Sequence, residues 1–194
     1  QVERGLYGPF VVEGGTAIDV AADRYLVLDD VKLSADGKLS DQTDNLDVML
    51  GRQGNVLLVN GRKLPTLEVA AGSRERWRLL NSANGRYFKL SLPGAQLLVI
   101  GWDGGLLPQP YAAESLLIAP GERYELLVTF DAKEGAELSL QTSHYDRGHN
   151  VPDPGVKPLM AVRVAAPRAV SPGPLPTTWR DLPILAPTTP STPV

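Results

Sequence analysis

The chain has 194 residues, of which 43% are hydrophobic and 21% charged, a balance typical of a globular protein with one substantial core. Its formal net charge of −3 is spread without blocks, which argues against nucleic acid and anionic lipid as partners. No apolar stretch approaches the roughly 20 residues that span a bilayer, and the absence of cysteine excludes disulfides, thiolate metal sites and cysteine nucleophiles.

Glycine and proline are abundant, at 19 and 17 residues, which is typical of a protein built from short strands and turns. The chain opens on RGLYGPFVVEGG, residues 4–15, where an apolar run punctuated by glycine and proline predicts a strand entered through a tight turn. RYLVLDDVKL from Arg24 predicts the next strand, and the polar SADGKLSDQTDN predicts a loop. Within DNLDVMLG one or two turns of helix are expected, with Asp44 or Asn45 as the N-cap.

The middle of the chain carries clear strand patterns. NVLLVNGRKLPTLEV predicts a strand, a turn at Asn60 and Gly61, and a second extended piece. From Glu75 onward, Trp77 and Leu79 alternate with arginines, which predicts a strand with one face in the core and the other in solvent. QLLVIGWDGG holds a continuous apolar run, typical of a strand that is buried on both faces.

The last predicted strands complete an all-β protein. ESLLIAPGERYELLVTF predicts a strand, a Pro-Gly turn and a strand, and two more strands are predicted at residues 136–142 and 159–164. Strands that arrive every ~8 to 15 residues predict a β-sandwich or Greek-key barrel, with its core between about residues 23 and 165. The proline-rich remainder has no periodicity and predicts an extended connector.

The two histidines lie in SHYDRGHN, together with a tyrosine, an aspartate and an arginine. A metal site normally needs three or four protein ligands, and the spacing of His144 and His149 matches no standard pair of ligands. We therefore predict no metal site in this chain. A turn held by Asp146 and Arg147 through charge-assisted hydrogen bonds is the better interpretation.

No other motif predicts a catalytic residue. A Gly-x-Ser-x-Gly elbow is absent, and Asp103 in WDGG is expected to hold a turn by bonding its own backbone. The arginines of GSRERWR alternate along a half-buried strand and are expected to form its solvated face. The basic pair Arg62 and Lys63 is expected at the turn of a hairpin.

Several stretches in this order resemble the bacterial three-domain multicopper oxidases, laccase-like enzymes built from three cupredoxin domains. The resemblance runs from Arg4 to about Val164, and in that family the second domain carries these motifs. It rests on RGLYGPFVVEG, NVLLVNGRKLPTLEVAAGSRERWRLLNSANGRYFKLSL, IGWDGGLLPQPYAAESLLIAPGERYELLVTF and HYDRG.

The resemblance implies a cupredoxin-like sandwich in three parts: residues 1–14 as the closing strand of a preceding cupredoxin domain, 15–165 as the central domain, and 166–194 as a proline-rich linker between domains. The family's copper ligands are a cysteine and many histidines in the first and third domains. A chain with no cysteine and two histidines is expected to hold no copper and no other cofactor. Its expected partners are the flanking cupredoxin domains, in the periplasm or outside the cell.

For the whole protein the resemblance implies one-electron oxidation of phenols, aromatic amines or metal ions at a mononuclear copper, and reduction of dioxygen to water at a trinuclear cluster. The central domain would fix the positions of the outer two and contribute a wall on the substrate side. The alternative is a copper-free relative, such as the septum-associated proteins that keep this fold as an interaction scaffold. A free-standing β-sandwich binding module is a third possibility.

One loop, residues 143–158, is the candidate functional region, because it concentrates hydrogen-bonding side chains after a predicted strand. In related laccases the segment after the YDRG stretch often carries an insertion near the mononuclear copper. A surface turn without substrate contact is the alternative. The residues expected to border the substrate pocket are His144, Tyr145, Asp146, Arg147 and His149.

Overall fold

A computed structural model describes residues 5–11, 17–148, 151, 153–167 and 172–180. Its elements confirm the all-β prediction. In chain order they are β1 (Ala22–Val31), α1 (Asn45–Leu50), β2 (Val56–Val59), β3 (Thr66–Ala70), β4 (Arg74–Asn81), β5 (Phe88–Ser91), β6 (Gln96–Trp102), β7 (Gly105–Ala113), β8 (Leu116–Ile118), β9 (Arg123–Thr129), β10 (Glu137–Ser143) and β11 (Lys157–Ala165).

The strands form two mixed sheets. The first has six strands in the order β2-β1-β4-β9-β6-β7, and the second has five in the order β3-β11-β10-β5-β8. The pairs β1–β4 and β3–β11 are parallel, and the other pairs are antiparallel. Because consecutive strands often belong to different sheets, the chain crosses repeatedly from one sheet to the other, as a Greek-key sandwich requires.

The main core lies between the sheets, and β4 shows how it is filled. Trp77 and Leu79 are buried, while Arg76 and Arg78, which alternate with them, are half-buried. The predicted alternation is therefore confirmed. The Trp77 ring lies 5.9 Å from the ring of Phe130. Its Nε1 donates to the buried carboxylate of Glu75 at 3.0 Å, and that carboxylate also accepts from Arg24 at 3.1 Å. A buried acid is thus tied to the core by an indole and a guanidinium.

The short helix α1 is also confirmed, with Asp44 as its N-cap. The Asp44 carboxylate accepts from the backbone N–H of Asp47 at 2.8 Å, and the Asp47 carboxylate accepts from the backbone N–H of Asp44 at 3.2 Å. This reciprocal capping box satisfies two backbone donors that a helix start leaves free. Lys32 donates to Asp47 at 2.6 Å and holds the helix against the end of β1.

The predicted turn at Asn60 and Gly61 forms, but it connects strands of different sheets. Asn60 and Gly61 adopt positive φ values of 51° and 72°, as a type I′ turn requires. The flanking strands β2 and β3 nevertheless pair in separate sheets, so the hairpin predicted around Arg62 and Lys63 is wrong beyond a single bridge between Val59 and Arg62. Turn chemistry specifies a local reversal of the chain, and the partner of each strand is decided by the core.

A second apolar cluster covers the other side of the six-stranded sheet. Ile100 on β6 and Leu127 on β9 are buried against Trp179, far beyond the last strand. Residues 172–180, here called the C-terminal strap, are held by hydrogen bonds from Arg74 Nη1 to the carbonyl of Gly173 at 2.9 Å and from Arg180 Nη1 to the carbonyl of Gly104 at 2.7 Å. The prediction of a plain connector misses this docking, which carries Trp179 into the apolar cluster.

The N-terminal segment, residues 5–11, joins neither sheet, so the predicted opening strand has no ladder in this part of the chain. It is attached through Tyr7, whose hydroxyl donates to the buried carboxylate of Asp29. Burial and this hydrogen bond raise the pKa of Tyr7 to about 12. Leu6 and Phe10 are 69% and 92% exposed, so the segment presents apolar side chains outward.

No helix in the described residues is long and apolar enough to cross a membrane.

Replacement of Trp179 by alanine tests whether the C-terminal strap belongs to the folding unit. We expect Trp179→Ala to lower the free energy of unfolding by about 3 kcal/mol, because a buried indole leaves a cavity over β6 and β9. The matched control is Trp102→Ala, which removes a half-exposed indole and should cost about 1 kcal/mol or less. Urea denaturation measures both, and equal losses would contradict a structural role for the strap.

Alkaline titration tests the attachment of the N-terminal segment. The pKa of Tyr7 is about 12 in the folded state, above the ordinary tyrosine value of 10.0, so its contribution to stability is present below about pH 10 and is lost as the pH rises through about 12. In Tyr7→Phe the phenolate absorbance near pH 12 should lose one titrating group. Loss of a group near pH 10 instead would show that Tyr7 is not held.

Candidate functional site

A cleft of about 240 Å³ lies where the start of β5, the end of β10 and the candidate loop meet the end of α1. The loop supplies three of the residues predicted from the sequence, and the facing elements supply residues that sequence reasoning did not select. The lining consists of Leu50, Gln53, Arg86, Tyr87, Thr142, Ser143, His144, Tyr145, Arg147, Gly148, Val151, Pro154, Gly155 and Lys157.

Close backbone contact builds the floor of the cleft. A Cβ added to Gly85 would lie 2.4 Å from the carbonyl carbon of Gly51, so the end of α1 and the segment before β5 approach as only glycine allows. The buried Asp30 carboxylate accepts from the backbone N–H of Gly54 at 2.7 Å and from Arg86 Nε at 2.5 Å. This buried ion pair fixes the direction of Arg86 at the edge of the cleft.

Arg147 joins the loop to both sides of that floor. Its guanidinium donates to the carbonyl of Leu50 and, at 3.4 Å, to the carbonyl of Gly85. The same group lies 4.9 Å from the ring centroid of Tyr87, a cation–π distance. The ring of Tyr145 lies 5.4 Å from that of Tyr87, so one arginine and two aromatic rings form a continuous wall.

The predicted pair of Asp146 and Arg147 does not form. Asp146 accepts from the backbone N–H of Gly148 at 2.7 Å, a local Asx turn, while Arg147 reaches across to distant carbonyls. The two side chains anchor the same loop separately. His144 lines the cleft and is half-buried, and His149 lies outside the described residues.

Arg86 and Tyr87, which face the loop, were missed, and Lys157 lies within the candidate loop but was not selected. Arg86 and Tyr87 stand in NGRYF just before β5, and the register that pairs Lys89 with Ser143 brings them beside the loop. A pairing over more than fifty residues leaves no signal in local periodicity. The only indication in the sequence was that an aromatic residue, Tyr87, stands directly before a predicted strand.

A second, larger cavity of about 470 Å³ lies over β1, β4 and β9, bordered by residues 8–11. We call it the aromatic groove, after Tyr25, Trp102 and Tyr124 in its lining. Trp102 and Tyr124 stack with centroids 6.2 Å apart, and Trp102 is 48% exposed. The groove therefore presents a part-exposed aromatic surface beside the exposed side chains of the N-terminal segment.

Ion pairs border the aromatic groove. Arg76 pairs with Glu125, and Arg78 pairs with Asp23 at 2.8 Å. The arginines of β4 lie on the face away from the main core, as predicted, but they are half-buried and held in ion pairs instead of being solvated. Asp103 occupies the predicted turn, but its carboxylate accepts from the backbone and side chain of Arg123 at 2.9 Å each, and no bond to its own backbone accompanies them.

Comparison with protein families gives one match for most of the chain. The family model described as multicopper oxidase matches residues 27–150. The laccase of Bacillus subtilis (strain 168) is 32% identical over 183 residues, which cover 87% of this chain and 35% of that protein. Cell division protein FtsP of Pectobacterium atrosepticum is 37% identical over 147 residues, which cover 72% of this chain and 30% of that protein. The chain thus spans about a third of the length of these relatives.

Solved structures agree with this match. The multi-copper oxidase from Pseudomonas thermotolerans superposes with a TM-score of 0.77 at 28% identity, covering 96% of this chain and 42% of that one. The McoA multicopper oxidase 2F4 variant from Aquifex aeolicus superposes with a TM-score of 0.76 at 26% identity, covering 86% and 37%. The two-sheet sandwich described above is the architecture of one part of these longer chains.

Arg147→Lys tests the clamp between the loop and the cleft floor. Lysine keeps the charge but cannot bond both carbonyls while lying flat on Tyr87, so we expect a loss of about 1–2 kcal/mol of stability and faster amide exchange at residues 144–148. The control Arg163→Lys alters an exposed pair with Glu137 and should change neither quantity. Unchanged exchange in the loop of Arg147→Lys would refute the clamp.

Proposed function

This chain belongs to the multicopper oxidase family and has its cupredoxin-like β-sandwich, and from that premise we propose that it is the central domain of a laccase-like oxidase. The proposal divides the chain into a closing strand of a preceding domain (1–14), the central domain (15–165) and a linker between domains (166–194). Its role is to position two outer copper domains and to wall the substrate side. The observation that carries it is a whole sandwich that aligns with a third of a laccase while lacking the ligands for copper.

Copper, which the family implies, does not fit the residues that this chain supplies. The sequence has no cysteine and only two histidines, and the described residues contain no group of three or more His, Cys, Asp or Glu able to hold a metal ion. The cleft around His144 is lined by arginines and a lysine, whose charge opposes a bound metal cation. In the proposed parent protein the copper ions are therefore held by the first and third domains.

The surface of the chain supports contact with neighbouring domains. The aromatic groove and the exposed Leu6 and Phe10 form an apolar region on one side of the six-stranded sheet. Contiguous exposed apolar surface of this kind marks an interaction site. The C-terminal strap, docked through Trp179, would set the direction in which the linker leaves the domain.

The cleft supports a place on the substrate side. His144, Tyr145 and Arg147 line it, and Asp146 holds its loop. His149 lies outside the described residues and belongs to the proposed border on the sequence alone. In the parent protein the expected reaction is one-electron oxidation of phenols, aromatic amines or metal ions, with reduction of dioxygen to water. A location in the periplasm or outside the cell is part of the same proposal.

A copper-free scaffold is the second candidate, because several FtsP proteins match 72% of this chain at 36–38% identity. Both candidates use the domain as a spacer. They differ in the third domain, where a cysteine between two histidines would indicate an oxidase. Absorbance of the intact protein at about 600 nm, the band of a copper–thiolate site, distinguishes them.

The purified chain should show no blue absorbance and hold less than one tightly bound copper, because it lacks thiolate and has too few imidazoles. Oxidase activity should appear only when the chain is combined with its flanking domains. Metal analysis after dialysis against a chelator measures the first outcome, and dioxygen consumption measures the second. Stoichiometric copper that survives dialysis would overturn the proposal.

A further inference from the structure

We propose that the cleft beside Arg147 binds a single-ring aromatic anion, of the phenolic carboxylate class, in preference to neutral or cationic aromatic molecules. The consequence of this ligand preference for substrate oxidation rests on the proposed function. The binding itself belongs to this chain and is measured without copper or the other domains.

The size of the cleft restricts the ligand. Its volume of about 240 Å³ is below the range of roughly 300–1,000 Å³ typical of pockets for drug-sized molecules. A space of this size suits one substituted ring. The cleft opens beside Tyr145, which is 42% exposed and offers a ring surface for stacking.

The charge of the lining gives the selectivity. Arg86, Arg147 and Lys157 line the cleft, and none of the described lining residues is an aspartate or a glutamate. Arg86 is neutralised by Asp30, and Arg147 is committed to two carbonyl oxygens but keeps its charge. Lys157 is held in the β10–β11 ladder by its backbone, while its side-chain ammonium has no hydrogen bond or ion pair with any described residue and is the cation available for a carboxylate.

The acidic groups of the same loop do not cancel this charge within the cleft. Asp146 accepts from the backbone N–H of Gly148, and Asp153 accepts from that of Gly155, each at 2.7 Å. Both carboxylates are turned into their own Asx turns and lie outside the lining. His144, also in the lining and half-buried, has no hydrogen-bond partner among the described residues and adds a polar contact for a phenol or carboxylate oxygen.

Together these groups offer a stacking surface at Tyr145, a fixed cation at Arg147 and a free ammonium at Lys157. A cationic amine would bring its charge beside two cations, whereas a carboxylate would gain a charge-assisted hydrogen bond. The cleft thus discriminates between single-ring ligands of the same size by the sign of their charge.

The test is calorimetric titration of the whole chain with three probes of one size: 4-hydroxyphenylacetate, 4-ethylphenol and tyramine. We expect the anion to bind about three- to five-fold more tightly than the neutral phenol, and tyramine to bind most weakly, since a partly exposed charge pair contributes up to about a factor of five. Tyramine binding as tightly as 4-hydroxyphenylacetate would overturn the proposal. Inorganic phosphate binding as tightly as the aromatic anion would overturn its aromatic part.

Matched variants locate the binding. Lys157→Gln should reduce affinity for 4-hydroxyphenylacetate about three- to five-fold and leave 4-ethylphenol unchanged, whereas Lys133→Gln, at an exposed turn, should alter neither. Tyr145→Leu should weaken both probes, whereas Tyr111→Leu on β7 should weaken neither. An unchanged affinity in Lys157→Gln would refute the role of the ammonium.

The two proposals fail separately. If the chain selects the anion but no oxidase activity appears with the flanking domains, the binding site stands and the proposed function fails. If oxidase activity appears and the chain shows no preference among the probes, the proposed function stands and the selectivity fails.

Discussion

The need to cover both faces of the six-stranded sheet governs this structure. Its central strands β6 and β9 carry apolar side chains on each face, with Val99 and Leu126 in the main core and Ile100 and Leu127 on the opposite side. One face is covered by the five-stranded sheet, which gives the sandwich. The other requires an additional element, and Trp179 of the C-terminal strap supplies it. Burial of apolar surface contributes about 25 cal/mol per Å², which stabilises the docked position of an otherwise irregular segment.

The candidate site also depends on how the strands of the sandwich pair. The cleft exists because β10 pairs with β5, which brings the loop after β10 to the segment before β5. Glycines at 51 and 85 then let the end of α1 approach, and Arg147 bonds both sides. Two cations of the cleft are therefore held in place, Arg147 by backbone carbonyls and Arg86 by a buried carboxylate.

In the proposed function this domain would contribute geometry to a larger protein. Relatives with different printed functions, a laccase and FtsP cell division proteins, share it over most of this chain. A fold without metal ligands of its own is compatible with either activity, because function in such families lies in sites added to the fold. The aromatic groove and the cleft are the two surfaces through which this domain would influence its neighbours, one by apolar contact and the other by charge.

The sequence by itself determined what is local or periodic. Alternation around Trp77, the Asp44 cap and the Asn60-Gly61 turn are short-range features, and each formed as predicted because propensity and burial agree there. The absence of cysteine likewise determined that no copper–thiolate site can form in this chain.

Only the tertiary structure decided which strands pair, and with them the site. The Asn60-Gly61 turn connects strands of different sheets, and Trp179 packs against β6. Arg147 donates to carbonyls of distant residues and does not pair with Asp146. Tyr87, just before β5, and Lys157, at the start of β11, joined the cleft from positions far apart in the chain. These contacts follow from how the core closes, and a contact between residues tens of positions apart leaves no trace in the local pattern of the chain.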